Sequence, residues 1–100
     1  MAKRIVWSKQ AFDDRRDILD YWINRNKSKT YSIKLNTLFK EAIKLIAKHP
    51  LIGKLTEFPN VKAKIVRDYF IFYQEFGREI HILSIWDTRR DPTKVKDKLR

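Results

Sequence analysis

Two lysines spaced two apart, Lys62 and Lys64, are the residues best suited to carry a reaction in this chain. On a strand they share one face, and each ammonium would lower the other's pKa toward a range useful for a base. That chemistry suits RNA, which its own 2′-hydroxyl cleaves once a base removes the proton. Cations then stabilise the phosphorane, and an acid protonates the leaving oxygen. The same spacing also describes two solvated lysines on a strand surface. Arg89 and Arg90 follow an apolar run and could grip phosphate or carboxylate bidentately, or pair with Asp87 or Asp91.

Other chemistries find less support. The chain holds 2 histidines and no cysteine, which excludes disulfides and thiolate metal sites. His49 and His81 form no HxxxH or HExxH spacing, so no metal or other cofactor is expected. His81 reads as a packed or interface histidine, and His49 as a helix end. Neither a GxSxG motif nor a Gly-rich phosphate loop is present, so nucleotide-dependent and serine-nucleophile chemistry find no support. Asp13, Asp14, Asp17 and Asp20 interleave with Arg15 and Arg16, the ordinary pattern of a helix surface.

Charge points to the partner. There are 23 Lys and Arg against 12 Asp and Glu, a net +11. A domain this basic meets an anionic partner: nucleic acid, the ribosome or an acidic protein. Between Asp20 and Glu41 stand Arg25, Lys27, Lys29, Lys34 and Lys40 with no acid among them. Residues 48–67 add Lys48, Lys54, Lys62, Lys64 and Arg67 against Glu57 alone.

The elements that must position these groups follow from periodicity. The 100 residues suffice for one domain, 43% of them hydrophobic and only 2 glycines. Arg4 to Ser8 reads as a short strand. A helix begins at Ser8 or Lys9 and runs to about Asn24, with Ala11, Ile18 and Trp22 on one stripe. After a polar break at 24–27, Ser28 is placed to cap a second helix that ends at Lys48 before His49-Pro50. The period then changes. Leu55–Glu57 reads as a minor extended piece and Val61–Val66 as a strand. Tyr69–Glu75 and Glu79–Trp86 form a hairpin about the turn 76–78. Both hairpin strands are apolar on both faces, which makes them central. Residues 87–100 read as a basic tail or short helix. The expected fold is α+β, in the order β-α-α-β-β-β, with a helical hairpin packed on one face of a small, mostly antiparallel sheet. No signal peptide or membrane span is expected.

This order, with Val66-Arg67-Asp68-Tyr69-Phe70-Ile71-Phe72-Tyr73, the run Ile80 to Pro92, Val6-Trp7-Ser8, Ala11 and His49-Pro50, resembles the RelE/ParE superfamily of type II toxin–antitoxin toxins, also described as plasmid stabilisation proteins. The resemblance covers nearly the whole chain. It implies a cytoplasmic toxin that arrests growth, is neutralised by a cognate antitoxin, and takes neither cofactor nor small-molecule substrate. RelE-like members cut mRNA on the ribosome, and ParE-like members inhibit DNA gyrase. Lys62 and Lys64 match the two RelE-like strand lysines. Phe70 stands where those nucleases carry an arginine, and their C-terminal tyrosine has no counterpart. The Phe-Ile-Phe-Tyr strand and the Arg-Arg-Asp-Pro ending resemble the ParE branch more closely. The resemblance and the charge together make Arg67, Arg89, Arg90 and His81 candidate target-binding residues. The competing readings are a RelE-like nuclease, a non-toxic nucleic-acid-binding module, and a degenerate toxin that only binds antitoxin.

Overall fold

The computed structural model describes residues 2–90. The proposed tail helix therefore lies outside the described residues. A five-stranded sheet in the order β1-β5-β4-β3-β2 carries two helices on one face. Its strands are β1 (Arg4–Trp7), β2 (Lys54–Leu55), β3 (Val61–Val66), β4 (Tyr69–Phe76) and β5 (Glu79–Asp87). Only the β1–β5 pair is parallel, with Ile5 beside Ile80 and Trp7 beside Ile82. The expected α+β architecture is therefore present, and β4 is its central strand.

The first helix, α1 (Lys9–Asn26), starts where Ser8 Oγ accepts the Ala11 N–H at 3.0 Å. It runs two residues past the expected end and stops at Lys27, whose left-handed φ of 53° turns the chain. The second helix, α2 (Thr30–Lys48), is capped at Lys29 and starts one residue later than expected. Ser28 does not occupy its cap position. Instead its hydroxyl accepts the Thr30 N–H at 3.2 Å from just outside the helix. A short 3-10 turn, Pro50–Ile52, follows. The minor extended piece falls at Lys54–Leu55, because Thr56 turns the chain by accepting the Phe58 N–H and donating to the Val61 carbonyl.

Leu35, Phe39, Ile43 and Ile46 on α2 meet Tyr69, Ile71, Tyr73, Ile80 and Ile82 to form the main core. Val61, Ala63, Phe72 and Trp86 form a second cluster on the far face of the sheet. The two clusters show which way each strand residue points.

Strand β5 changes facing halfway. Tyr73 pairs with Ile82 but Phe72 pairs with Ser84, so Leu83 is an extra, bulged residue. Strict alternation from Ile82 would send Trp86 toward the helices. The bulge sends Ile85 there instead, and Trp86 to the far face. Helix α1 satisfies the polar groups left at the bulge. Ser8 Oγ donates to the Leu83 carbonyl at 3.0 Å. The Asp14 carboxylate accepts Ser84 Oγ at 2.8 Å and the Ile85 N–H at 3.1 Å. The sequence placed Asp14 among ordinary surface acids, but it is only 6% exposed. It stands three residues after Ala11 and four before Ile18, within the apolar stripe, and that spacing was the available signal.

Asp14→Ala removes the acceptor for two buried donors. It should lower the unfolding free energy by about 1–3 kcal/mol. Urea denaturation checks this, with an unchanged m-value expected.

Candidate functional site

Three groups of polar side chains answer to the residues singled out from the sequence, and they occupy different places. The first lies where β5 ends beside the β3–β4 turn. Arg67 takes a left-handed φ of 55° in that turn. The Thr88 N–H donates to the Asp68 carbonyl at 2.8 Å, which holds the chain after β5 against it. Arg67, Arg89 and Arg90 are thereby gathered at one end of the sheet.

Their roles differ there. Arg89 grips Asp87 through Nε at 3.0 Å and Nη2 at 2.9 Å, and its backbone N–H binds the same carboxylate at 2.9 Å. These bonds hold the Asp87 carboxyl below its usual range, against burial, which pushes it up. Asp87 in turn raises the Arg89 pKa. The Arg90 guanidinium lies 5.5 Å from the centre of the Trp86 ring, a cation–π distance. Among the described residues neither Arg67 nor Arg90 forms an ion pair, and Arg90 also lines the neighbouring cleft.

Beside this end is a cleft of about 560 Å³ between α1 and the sheet, lined by Asp14, Asp17, Tyr21, Tyr69, Asp87 and Arg89 among others. The Tyr69 hydroxyl forms its floor. It accepts from Trp22 Nε1 at 2.8 Å, and burial raises its pKa despite that bond. Among the described residues no group of three His, Cys, Asp or Glu could hold a metal ion.

His81 belongs to another place. It stands six positions before Asp87 on β5, roughly 20 Å at strand rise. Its Nε2 lies 3.0 Å from Glu79, and its ring meets the edge of Phe76 at 4.9 Å between centroids. Bonds from His81 and then Arg4 hold the Glu79 carboxyl below its usual range. The structure therefore does not join His81 to the arginine end.

The lysines occupy a third place. Lys62 pairs with Tyr73 and Lys64 with Ile71, both residues of the helix-side core. Directly paired residues share a face, so both lysines point to the helix side of the sheet. Phe70 packs on the far face with Phe72 and Trp86. The residues of β3 that share its side are Val61, Ala63 and Ile65, all apolar. The two lysines and the position matching the nuclease arginine thus stand on opposite sides of the sheet.

The comparisons with known proteins agree with this architecture. A family model described as "ParE toxin of type II toxin-antitoxin system, parDE" matches residues 5–92. A solved chain titled as the chromosomal ParDE TA system from P. aeruginosa superposes with a TM-score of 0.78 at 20% identity, covering 88% of this chain and 98% of its own. A mutant of the E. coli toxin RelE in the free state gives a TM-score of 0.68 at 16% identity, covering 99% of this chain and 95% of its own. At these identities the two structures show a shared fold. No curated protein sequence matches the chain.

The Asp87–Arg89 pair makes a signed prediction. A carboxyl held below its ordinary pKa adds stability above about pH 3.9, and that stability is lost as pH falls through the lowered value. Asp87→Asn should melt below the parent by a constant margin near neutral pH, and the margin should close below about pH 4. Thermal melts from pH 7 to pH 2 check it. A margin that persists unchanged at the acid end contradicts it.

Proposed function

This chain belongs to the ParE toxin family of type II toxin–antitoxin systems, and we propose that it arrests growth by binding DNA gyrase, without cutting RNA. The observation that carries this reading is the division of the sheet faces. Metal-independent RNA cleavage needs a base, a phosphorane-stabilising cation and an acid around one phosphate. Lys62 and Lys64 are on the helix side, and the face bearing Phe70 and Trp86 is apolar between them. Such a division suits a toxin that acts by occupying a protein surface.

The cognate antitoxin has a natural seat on the helical hairpin. Phe12, Leu19, Ile23 and Ile33 line a groove of about 340 Å³ between α1 and α2, with Arg15 and Arg16 at its rim. An antitoxin segment that folds on binding would lay apolar side chains there and bring acids to the arginines. Cytoplasmic action and plasmid stabilisation follow from the same reading.

Purified chain should reduce DNA supercoiling by gyrase and leave mRNA intact in a cell-free translation reaction mapped at its 5′ ends. New ends at fixed codon positions, dependent on ribosomes, would overturn the proposal in favour of a RelE-like nuclease.

Ile33 is 63% exposed, so Ile33→Asp should leave the melting temperature unchanged. The variant should bind the antitoxin at least about tenfold more weakly by calorimetry, the loss expected when an interface anchor becomes charged.

A further inference from the structure

A group of apolar side chains stands fully outside the core at the β2 edge. Leu51 is 78% exposed and Leu55 is 80% exposed, with Ile52 between them at 38%. Scattered exposed leucines carry no message, but these three lie within five residues, on a rigid turn and the β2 strand that follows it.

The rigidity has a visible cause. Tyr73, buried in the core, sends its hydroxyl under the turn. It donates to the Pro50 carbonyl at 2.7 Å and accepts the Gly53 N–H at 2.9 Å. A Cβ at Gly53 would lie 2.4 Å from that oxygen, so only glycine fits. The Ile52 N–H closes the turn on the His49 carbonyl at 3.1 Å. The core thus holds the turn in place and presents its leucines to solvent.

The surroundings are cationic. Lys48 ends α2 two residues before the turn, Lys54 precedes Leu55, and Lys62 is the direct cross-strand neighbour of Leu55. No acid occurs from Ala42 to Thr56. Among the described residues none of these three lysines forms an ion pair. A second copy of the chain would bring the same lysines against each other. RNA would be met by aliphatic side chains, which offer its bases no aromatic platform.

We propose that this knuckle is the docking point for the toxin's protein target, at an apolar hollow on that target edged with carboxylates. The inference rests on the gyrase reading above and assigns it a surface. It also gives Lys62 a role, as a docking cation at the rim. Apolar anchors held rigidly lose little conformational freedom on binding, and charges around them steer the encounter.

The test measures binding of the full chain to two purified probes, DNA gyrase and ribosomes, by surface plasmon resonance. The variants are Leu51→Asp with Leu55→Asp, and Lys54→Glu alone. Both leucines are exposed, so the melting temperature and antitoxin affinity should hold. The leucine variant should bind gyrase at least about tenfold more weakly. The lysine variant should associate more slowly, most clearly at low salt. Gyrase binding that neither variant alters overturns the docking surface and leaves the gyrase reading standing. Binding to ribosomes alone, weakened by the leucine variant, overturns the gyrase reading and supports the surface. Binding to neither probe overturns both.

Discussion

The structure depends on a buried carboxylate, Asp14, which joins α1 to the bulge of β5. A bulge leaves backbone groups without ladder partners, and buried groups of that kind are costly. Asp14 takes the Ile85 N–H and the Ser84 hydroxyl, while Ser8 takes the Leu83 carbonyl. The helix start is therefore fastened where the strand changes facing. Downstream of that point Ile85 enters the helix-side core and Trp86 enters the far cluster. Asp87 then faces the cleft beside α1, where it fixes Arg89.

Two tyrosines extend the same logic along the central strand. Tyr69, at the start of β4, and Tyr73, at its middle, bury their rings in the core and spend their hydroxyls on different partners. The first accepts from Trp22 on α1, and the second clamps the turn before β2. Each couples a surface region to the packed interior. One end of the sheet presents arginines around the cleft, and the β2 edge presents a stiff apolar turn among lysines. The net charge of +11 is therefore distributed over separate surfaces.

Much of this was legible in the residue pattern. The helical spacing from Tyr31 to Ile46, the two short turns and the doubly apolar strands place both helices and all five strands to within a few residues, though not the 3-10 turn at Pro50–Ile52. Period and turn chemistry are local properties, so they survive in a single sequence. The placement of Lys62 and Lys64 on one face was equally readable, because alternation along one strand is local too. What that face looked upon was not. The lysines face the helix side and Phe70 the other, and this follows from pairing between strands rather than from spacing within one.

The misreading of Asp14 shares that origin. Asp14 looked like one more helix-surface acid because its partners lie 70 and 71 residues away. His81 and Arg89 look close in the chain, yet an extended strand carries them to opposite ends of the sheet. Arg89 itself is held by Asp87, whereas Arg90 rests on Trp86. By itself the sequence determined the element order, the apolar faces, the basic charge and the absence of cysteine chemistry. Those depend on residue type and on distances of a few positions. Tertiary structure alone decided which faces meet, where the bulge reverses a strand, and which cations remain unpaired. Those outcomes are set by contacts between residues far apart in the chain.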